Sequence, residues 1–207
     1  FDQSKRHYKI PKNEVGSQLH FEYYLWLTQI QQGRCLAVSF EKQRRARSIS
    51  SVQNMGSLYW QFNTNWQQLT FSTIDYNGNW KMSHNMVQNT FAQVLITSFF
   101  KSNSLHVWII NDLTNAISGK LVLQMFRYNQ TAGQPANQRT YDLRVGPECS
   151  QESLIVSNSQ LFTDDCPKDN CYVRIKIQTD GNMIIPYAHA WPVYLKDSHI
   201  SAENQPE

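Results

Sequence analysis

The chain has 207 residues, enough for one large domain or two small ones, and an apolar share of 41% with 13% aromatics excludes a disordered segment. The formal net charge is only +3, from 19 Lys and Arg against 16 Asp and Glu, so a nucleic-acid partner is not expected. No apolar run approaches the roughly 20 residues that a membrane-spanning helix needs, so no membrane span is expected either.

The first twenty residues are polar and irregular, with Pro11 and Gly16 as breakers. No basic-then-apolar leader precedes Phe1, which is not an initiator Met, and the expectation is a mature form or a piece of something longer. From about His20 to Arg47 the apolar spacing predicts two helical pieces with a break at Gly33, first through Phe21, Tyr24, Leu25 and Ile30, then through Leu36, Ala37 and Phe40. The basic run Lys42 to Arg47 closes the second piece, where cations suit a helix C-terminus and a solvated face. Met55 to Phe62 is a short apolar run that predicts a strand buried on both faces. A loop with Asn63, Asn65 and Trp66 follows, then Thr70 to Ile74 and a turn at Asp75-Tyr76-Asn77-Gly78. Trp80 to about Phe91 predicts a helix with Trp80, His84, Val87 and Phe91 on one face.

Beyond residue 92 the pattern is all β. Strands are predicted over Val94–Phe99, Leu105–Ile110, Lys120–Phe126, Tyr141–Val145, Leu154–Val156, Tyr172–Ile177 and Met183–Tyr187. The turns between them include Asn103-Ser104, Ala116 to Gly119 and Asp180-Gly181-Asn182. Tyr172 to Ile177 alternates apolar with polar or charged groups, as a strand with one wet face does. Such a series reads as an immunoglobulin-like sandwich.

A catalytic centre is harder to find. Acid–base hydrolysis by paired carboxyl groups needs two of them close together, one kept protonated by its surroundings. Asp75 opens a turn, Asp112 ends a strand, Asp164, Asp165 and Asp169 crowd a polar loop, and Glu22 and Glu41 sit in the helical stretch. None pairs the end of a strand with a second carboxylate. His7, His20, His84, His106, His189 and His199 have no metal-ligand spacing, and Cys35 lies mid-helix with nothing to activate it. No cofactor is called for. Cys166 and Cys171 bracket a polar turn, a spacing that permits a local disulfide and does not match a zinc site. Asn129-Gln130-Thr131 is an N-glycosylation sequon in a polar loop. Both features favour a secretory compartment. The six Trp and ten Tyr suit either core filling or a surface that meets sugars.

The stretch from Met55 through Gly56-Ser57-Leu58-Tyr59-Trp60-Gln61-Phe62 to Asn63 resembles the last barrel strand of the β-mannosidases in glycoside hydrolase family 2. Ser72 to His84 is similar to the segment those enzymes place just after it, Thr28-Gln29 and Arg44 to Arg47 to the helix before it, and Leu105 to Leu113 to the start of the next sandwich domain. The resemblance implies an α+β chain: residues 1–91 as the end of a (β/α)8 barrel (last helices and eighth strand), residues 92–200 as an immunoglobulin-like antiparallel β-sandwich, and 201–207 as a polar tail. It implies a part of a retaining exo-β-mannosidase that removes terminal β-mannose from oligosaccharides and N-glycan remnants. Trp60 would be a platform under the sugar and Trp66 a wall of the site. Both reactive glutamates would lie upstream of Phe1, in missing N-terminal domains of the same protein, leaving this piece inactive alone and its eighth strand open-edged. Cys166 and Cys171 match a cysteine pair of the animal lysosomal enzymes, so a lysosomal or secreted location is implied. The family reads Trp-Gln-x-Asn-Asp where this chain has Thr64 in the last position, which puts any inherited carboxylate contact there in doubt. A β-galactosidase or β-glucuronidase type of the same family, and a non-catalytic sandwich that binds glycans or a partner, are the alternatives.

Overall fold

The computed structural model describes residues 2–10, 15–68, 70–128, 133–179, 181 and 183–199. Asn129 of the sequon, most of the Asp180–Asn182 turn and the tail 201–207 lie outside them. The chain divides into two units, Phe1–Ala92 and Gln93–Glu207.

The first unit is helical at both ends. A short helix α1 (Asp2–His7) occupies part of the stretch expected to be irregular. Helix α2 (Gln18–Arg45) runs 28 residues, started by Ser17, whose hydroxyl accepts from the His20 N–H at 3.2 Å. The predicted break at Gly33 is absent. Gly33 is buried mid-helix because α3 (Met82–Thr90) packs there: a Cβ on it would lie 2.5 Å from Met86 Sδ and 3.2 Å from Ser83 Cα. The glycine marks close approach of two helices, not a chain break. The basic residues do close α2, with Lys42, Arg44 and Arg45 in its last turn. On α3 the buried face is Ser83, Val87 and Thr90, whereas Trp80 and Phe91, expected on that face, are exposed.

The predicted strand over Met55–Phe62 is not formed. A strand's N–H and C=O groups need neighbours to pair with. The described residues offer this stretch only a short return: Thr73 N–H donates to the carbonyls of Gln61 and Phe62, and Asn63 makes a lone parallel bridge with Ile74. Nor is it buried on both faces. Met55, Leu58, Trp60 and Phe62 are exposed, and burial alternates, with Ser57, Tyr59 and Gln61 half-buried between them.

The second unit is a two-sheet antiparallel sandwich. One sheet has the order β1 (Val94–Lys101), β2 (Ser104–Asn111), β5 (Cys149–Ser157). The other has β4 (Asn137–Val145), β3 (Ile117–Arg127), β6 (Cys171–Gln178), β7 (Ala188–Ala190). Alternation fills the space between them: Leu105, Val107 and Ile109 from β2 face Leu121, Leu123 and Met125 from β3 and Val173 and Ile175 from β6 in one core. Each such side chain contributes about 1.5–3 kcal/mol on leaving water. Lys101 pairs with Ser104 across Ser102 and Asn103, both at positive φ (49° and 61°), the geometry that suits a two-residue hairpin.

Two β predictions need correction. Ala116 to Gly119 is not a turn, since β3 starts at Ile117 and Gly119 pairs with Leu143. The glycine is there because Gln178 approaches: a Cβ would lie 2.2 Å from the Gln178 carbonyl oxygen. The last strand is Ala188–Ala190 rather than Met183–Tyr187, because two small side chains fit beside Val173 and Ile175 on β6 whereas Ile184 and Tyr187 stay exposed. A disulfide joins Cys166 to Cys171, while Cys35 and Cys149 are free thiols.

Candidate functional site

The residues singled out for substrate lie in the irregular segment between α2 and α3. Tyr59 turns toward α2, its ring 5.7 Å from that of Phe40, which is buried and also meets Phe91 at 5.2 Å. Trp60, its neighbour, is 79% exposed, on the face it shares with Leu58 and Phe62. The Trp60–Gln61 peptide is cis. Trp66, six residues on, is also exposed, and among the described residues no ring contact brings the two tryptophans together.

Beneath this segment is a set of hydroxyls, of which the sequence reading singled out only Thr64. Thr64, Ser72 and Thr73 are all buried. Thr64 Oγ1 lies 2.8 Å from Thr70 Oγ1 and 2.5 Å from Ser72 Oγ, and Ser72 Oγ donates to the Ile74 carbonyl at 2.9 Å. The Lys81 ammonium donates to Ser72 Oγ and to the Thr70 carbonyl, each at 3.1 Å. Burial lowers the Lys81 pKa, and the charge of Asp75 opposes that shift. Thr64 thus occupies a buried position in a neutral hydroxyl group beside a cation. Thr73 gathers three partners: Tyr59 Oη at 3.1 Å, the Phe62 carbonyl at 3.0 Å and His84 Nδ1 at 3.0 Å. His84, expected on one face of its helix, projects from α3 with its ring 4.5 Å from that of Trp80 and edge-on to that of Phe62. The clue in the sequence is the density of small hydroxyls at Thr70, Ser72 and Thr73.

The carboxylates are mostly occupied with structure. Asp75 accepts from Asn79 N–H at 2.8 Å and Asn79 Nδ2 at 3.0 Å, closing the expected turn with Gly78 at φ +84°; those bonds hold its pKa low. Glu41 is pushed up by burial, with Arg45 and Arg34 pulling it back, and sits 3.9 Å from Arg45 one turn along α2. Glu152 accepts from His106 Nδ1 at 2.7 Å and Trp108 Nε1 at 3.1 Å on the sandwich. Asp142 pairs with Lys120 and Asp169 with His199. Among the described residues no group of His, Cys, Asp and Glu could hold a metal ion, and no helix is long and apolar enough to cross a membrane.

Beside the disulfide, Arg127 Nε donates to the Asp165 carbonyl at 2.7 Å and Tyr128 N–H to the Asn170 carbonyl at 3.0 Å. Burial pushes the Tyr128 phenol up to about 12.

Residues 103–197 match the family described as the mannosidase Ig/CBM-like domain. The chain is 26% identical to the β-mannosidase of Capra hircus over 202 residues, which is 95% of this chain and 23% of that enzyme. It is 28% identical to β-mannosidase A of Aspergillus flavus over 208 residues, 93% of this chain and 22% of the relative. Among solved structures, the β-D-mannosidase of Dictyoglomus thermophilum superposes with a TM-score of 0.75 at 20% identity, covering 95% of this chain and 22% of that one. The exo-chitosanase of Amycolatopsis orientalis gives a TM-score of 0.65 at 17% identity over 81% of this chain and 19% of that one. At those identities the two structures speak for a shared fold. The chain spans less than a quarter of the length of the curated relatives it matches.

Proposed function

We propose that this chain, a relative of the β-mannosidases of glycoside hydrolase family 2, is the C-terminal portion of a retaining exo-β-mannosidase acting on terminal non-reducing β-mannose in oligosaccharides. Residues 1–91 supply the last helices and the closing strand of its (β/α)8 barrel, residues 92–200 the sandwich that follows it in the chain. The observation that carries the reading is coverage: likeness extends over 95% of this chain but only 23% of the goat enzyme. The acid/base and nucleophile glutamates belong to the remaining length of such a protein.

The burial pattern supports a role for Trp60. Helices flank the outside of the strands in a β/α barrel. Tyr59 packs on a helix and Trp60 lies on the opposite, exposed face, so Trp60 is on the side that faces the barrel interior when neighbouring strands are present. Its ring would stack under the apolar CH face of a pyranose, and Trp66 would wall the mouth of the site. The open run from Met55 to Phe62 is then a strand awaiting partners, which explains its exposed apolar side chains. The disulfide supports a lysosomal or secreted location, where such bonds persist. A glycan on Asn129 belongs to the same reading.

The test is hydrolysis of aryl glycosides by the full-length protein. Turnover of the β-mannoside is expected, with Trp60→Ala lowering kcat/KM about 10- to 100-fold, the equivalent of one lost aromatic contact. The 207 residues alone should give no turnover. Turnover by this piece, abolished by mutating one of its own acidic residues, refutes the reading. Preference for a galactoside or glucuronide moves the protein to another branch of the family.

A further inference from the structure

Trp60 is 79% exposed, so burial of its own ring does not fix where it points. Its chain neighbours do, and they converge on one side chain. Thr73 is fully buried, and its N–H donates to the carbonyls of Gln61 at 3.3 Å and Phe62 at 3.1 Å. A threonine hydroxyl has one proton to give and two lone pairs to offer. The proton goes to the Phe62 carbonyl at 3.0 Å, so the two remaining contacts must both be donated to Thr73. Tyr59 Oη, at 3.1 Å, is therefore a donor, and His84 Nδ1, at 3.0 Å, carries its ring proton. All three bonding capacities of the hydroxyl are used, on residues that flank Trp60 on either side and on the helix behind it. The His84 ring then rests between Trp80 and Phe62, steadying the same turn.

We propose that Thr73 is a positioning residue for Trp60: its saturated hydroxyl clamps Tyr59 and Phe62 and so sets the pose of the exposed ring between them. The proposal rests on the reading of Trp60 as a sugar platform. Small displacements of a substrate-positioning group carry large kinetic effects. A platform that holds substrate and transition state alike acts mainly on KM.

The test measures kcat and KM for an aryl β-mannoside in the full-length protein carrying Trp60→Ala, Thr73→Val, Thr73→Ser or Tyr59→Phe. Thr73→Val should raise KM about tenfold with kcat within about twofold, Thr73→Ser should restore KM to within about twofold of the parent, and Tyr59→Phe should raise KM about threefold. Combining Tyr59→Phe with Thr73→Val should add nothing, since both remove the same clamp. A fall in kcat at unchanged KM marks a smaller folded fraction and overturns the proposal, as does equal damage from Val and Ser. Parental KM in Thr73→Val with an impaired Trp60→Ala overturns the clamp and leaves the platform standing. Parental KM in Trp60→Ala removes the platform and the clamp with it. If Thr73→Val does not fold, Tyr59→Phe decides, and parental KM there overturns the proposal.

Discussion

The two units bury different things. In residues 93–199 the interior is mainly apolar: nineteen residues, from both sheets and the disulfide together with Leu161 and Ile185, form one cluster, and the buried polar residues among those described are Thr97, Asn111, Gln124, Ser150 and Ser198. In residues 2–92 the buried apolar side chains among the described residues are Phe40 and Val87, and the rest of the buried set is Gly33 with Ser4, Thr64, Ser72, Thr73, Ser83 and Thr90. The large apolar groups of that unit, from Phe21 and Trp26 on α2 to Leu58 and Trp60, are at the surface. One unit takes its stability from its own core. The other uses its buried hydrogen bonds to fix a segment's shape and leaves large apolar groups exposed.

The sharpest way to break this contrast is to remove the same side chain from each. Leu123→Ala, at a fully buried position of β3, should cost about 3–4 kcal/mol by urea denaturation, since a cavity adds to the lost transfer energy. Leu58→Ala, at a position 96% exposed, should change the stability of the same chain by no more than about 0.5 kcal/mol. Equal effects would erase the distinction. Gly119→Ala should cost about 2–3 kcal/mol, because the new methyl group meets a backbone carbonyl rather than a side chain that can swing away. Replacing Cys166 and Cys171 together by Ser should cost about 2 kcal/mol, the loop-closure entropy of a short crosslink, and reduction of the native chain should match it. The smallest effect belongs to the first unit. Asp75 has a lowered pKa in the folded chain, so its contribution exists above the unfolded value of 3.8 and is lost as pH falls through the lower folded one. Asp75→Asn should therefore destabilise at pH 6 and become neutral in the acid range, read from melting temperatures across pH.

This division also explains what could be read from the chain directly. Strands of the sandwich declare themselves because each needs only its own alternation and a facing sheet: each predicted run from β1 to β6 lies inside the strand that forms, although those for β4 and β5 start four and five residues late. Gly33 and Gly119 misled for one reason, that a glycine set by the approach of another segment looks like a turn until the neighbour is known. Met55 to Phe62 has the composition of a strand, but composition does not supply the partner that a ladder requires. The exposed tryptophans were visible because large rings stand out. Thr73 was not, because a buried hydroxyl earns its place by three-dimensional convergence and leaves no periodic trace.

The brevity of β7 has a consequence of its own. It is three residues long and borders the larger sheet, pairing only with Val173, Arg174 and Ile175. A foreign peptide arriving on its outer side finds hardly any main-chain docking points in a row, too few to start a growing fibril. That margin of the sheet therefore needs no bulky guard.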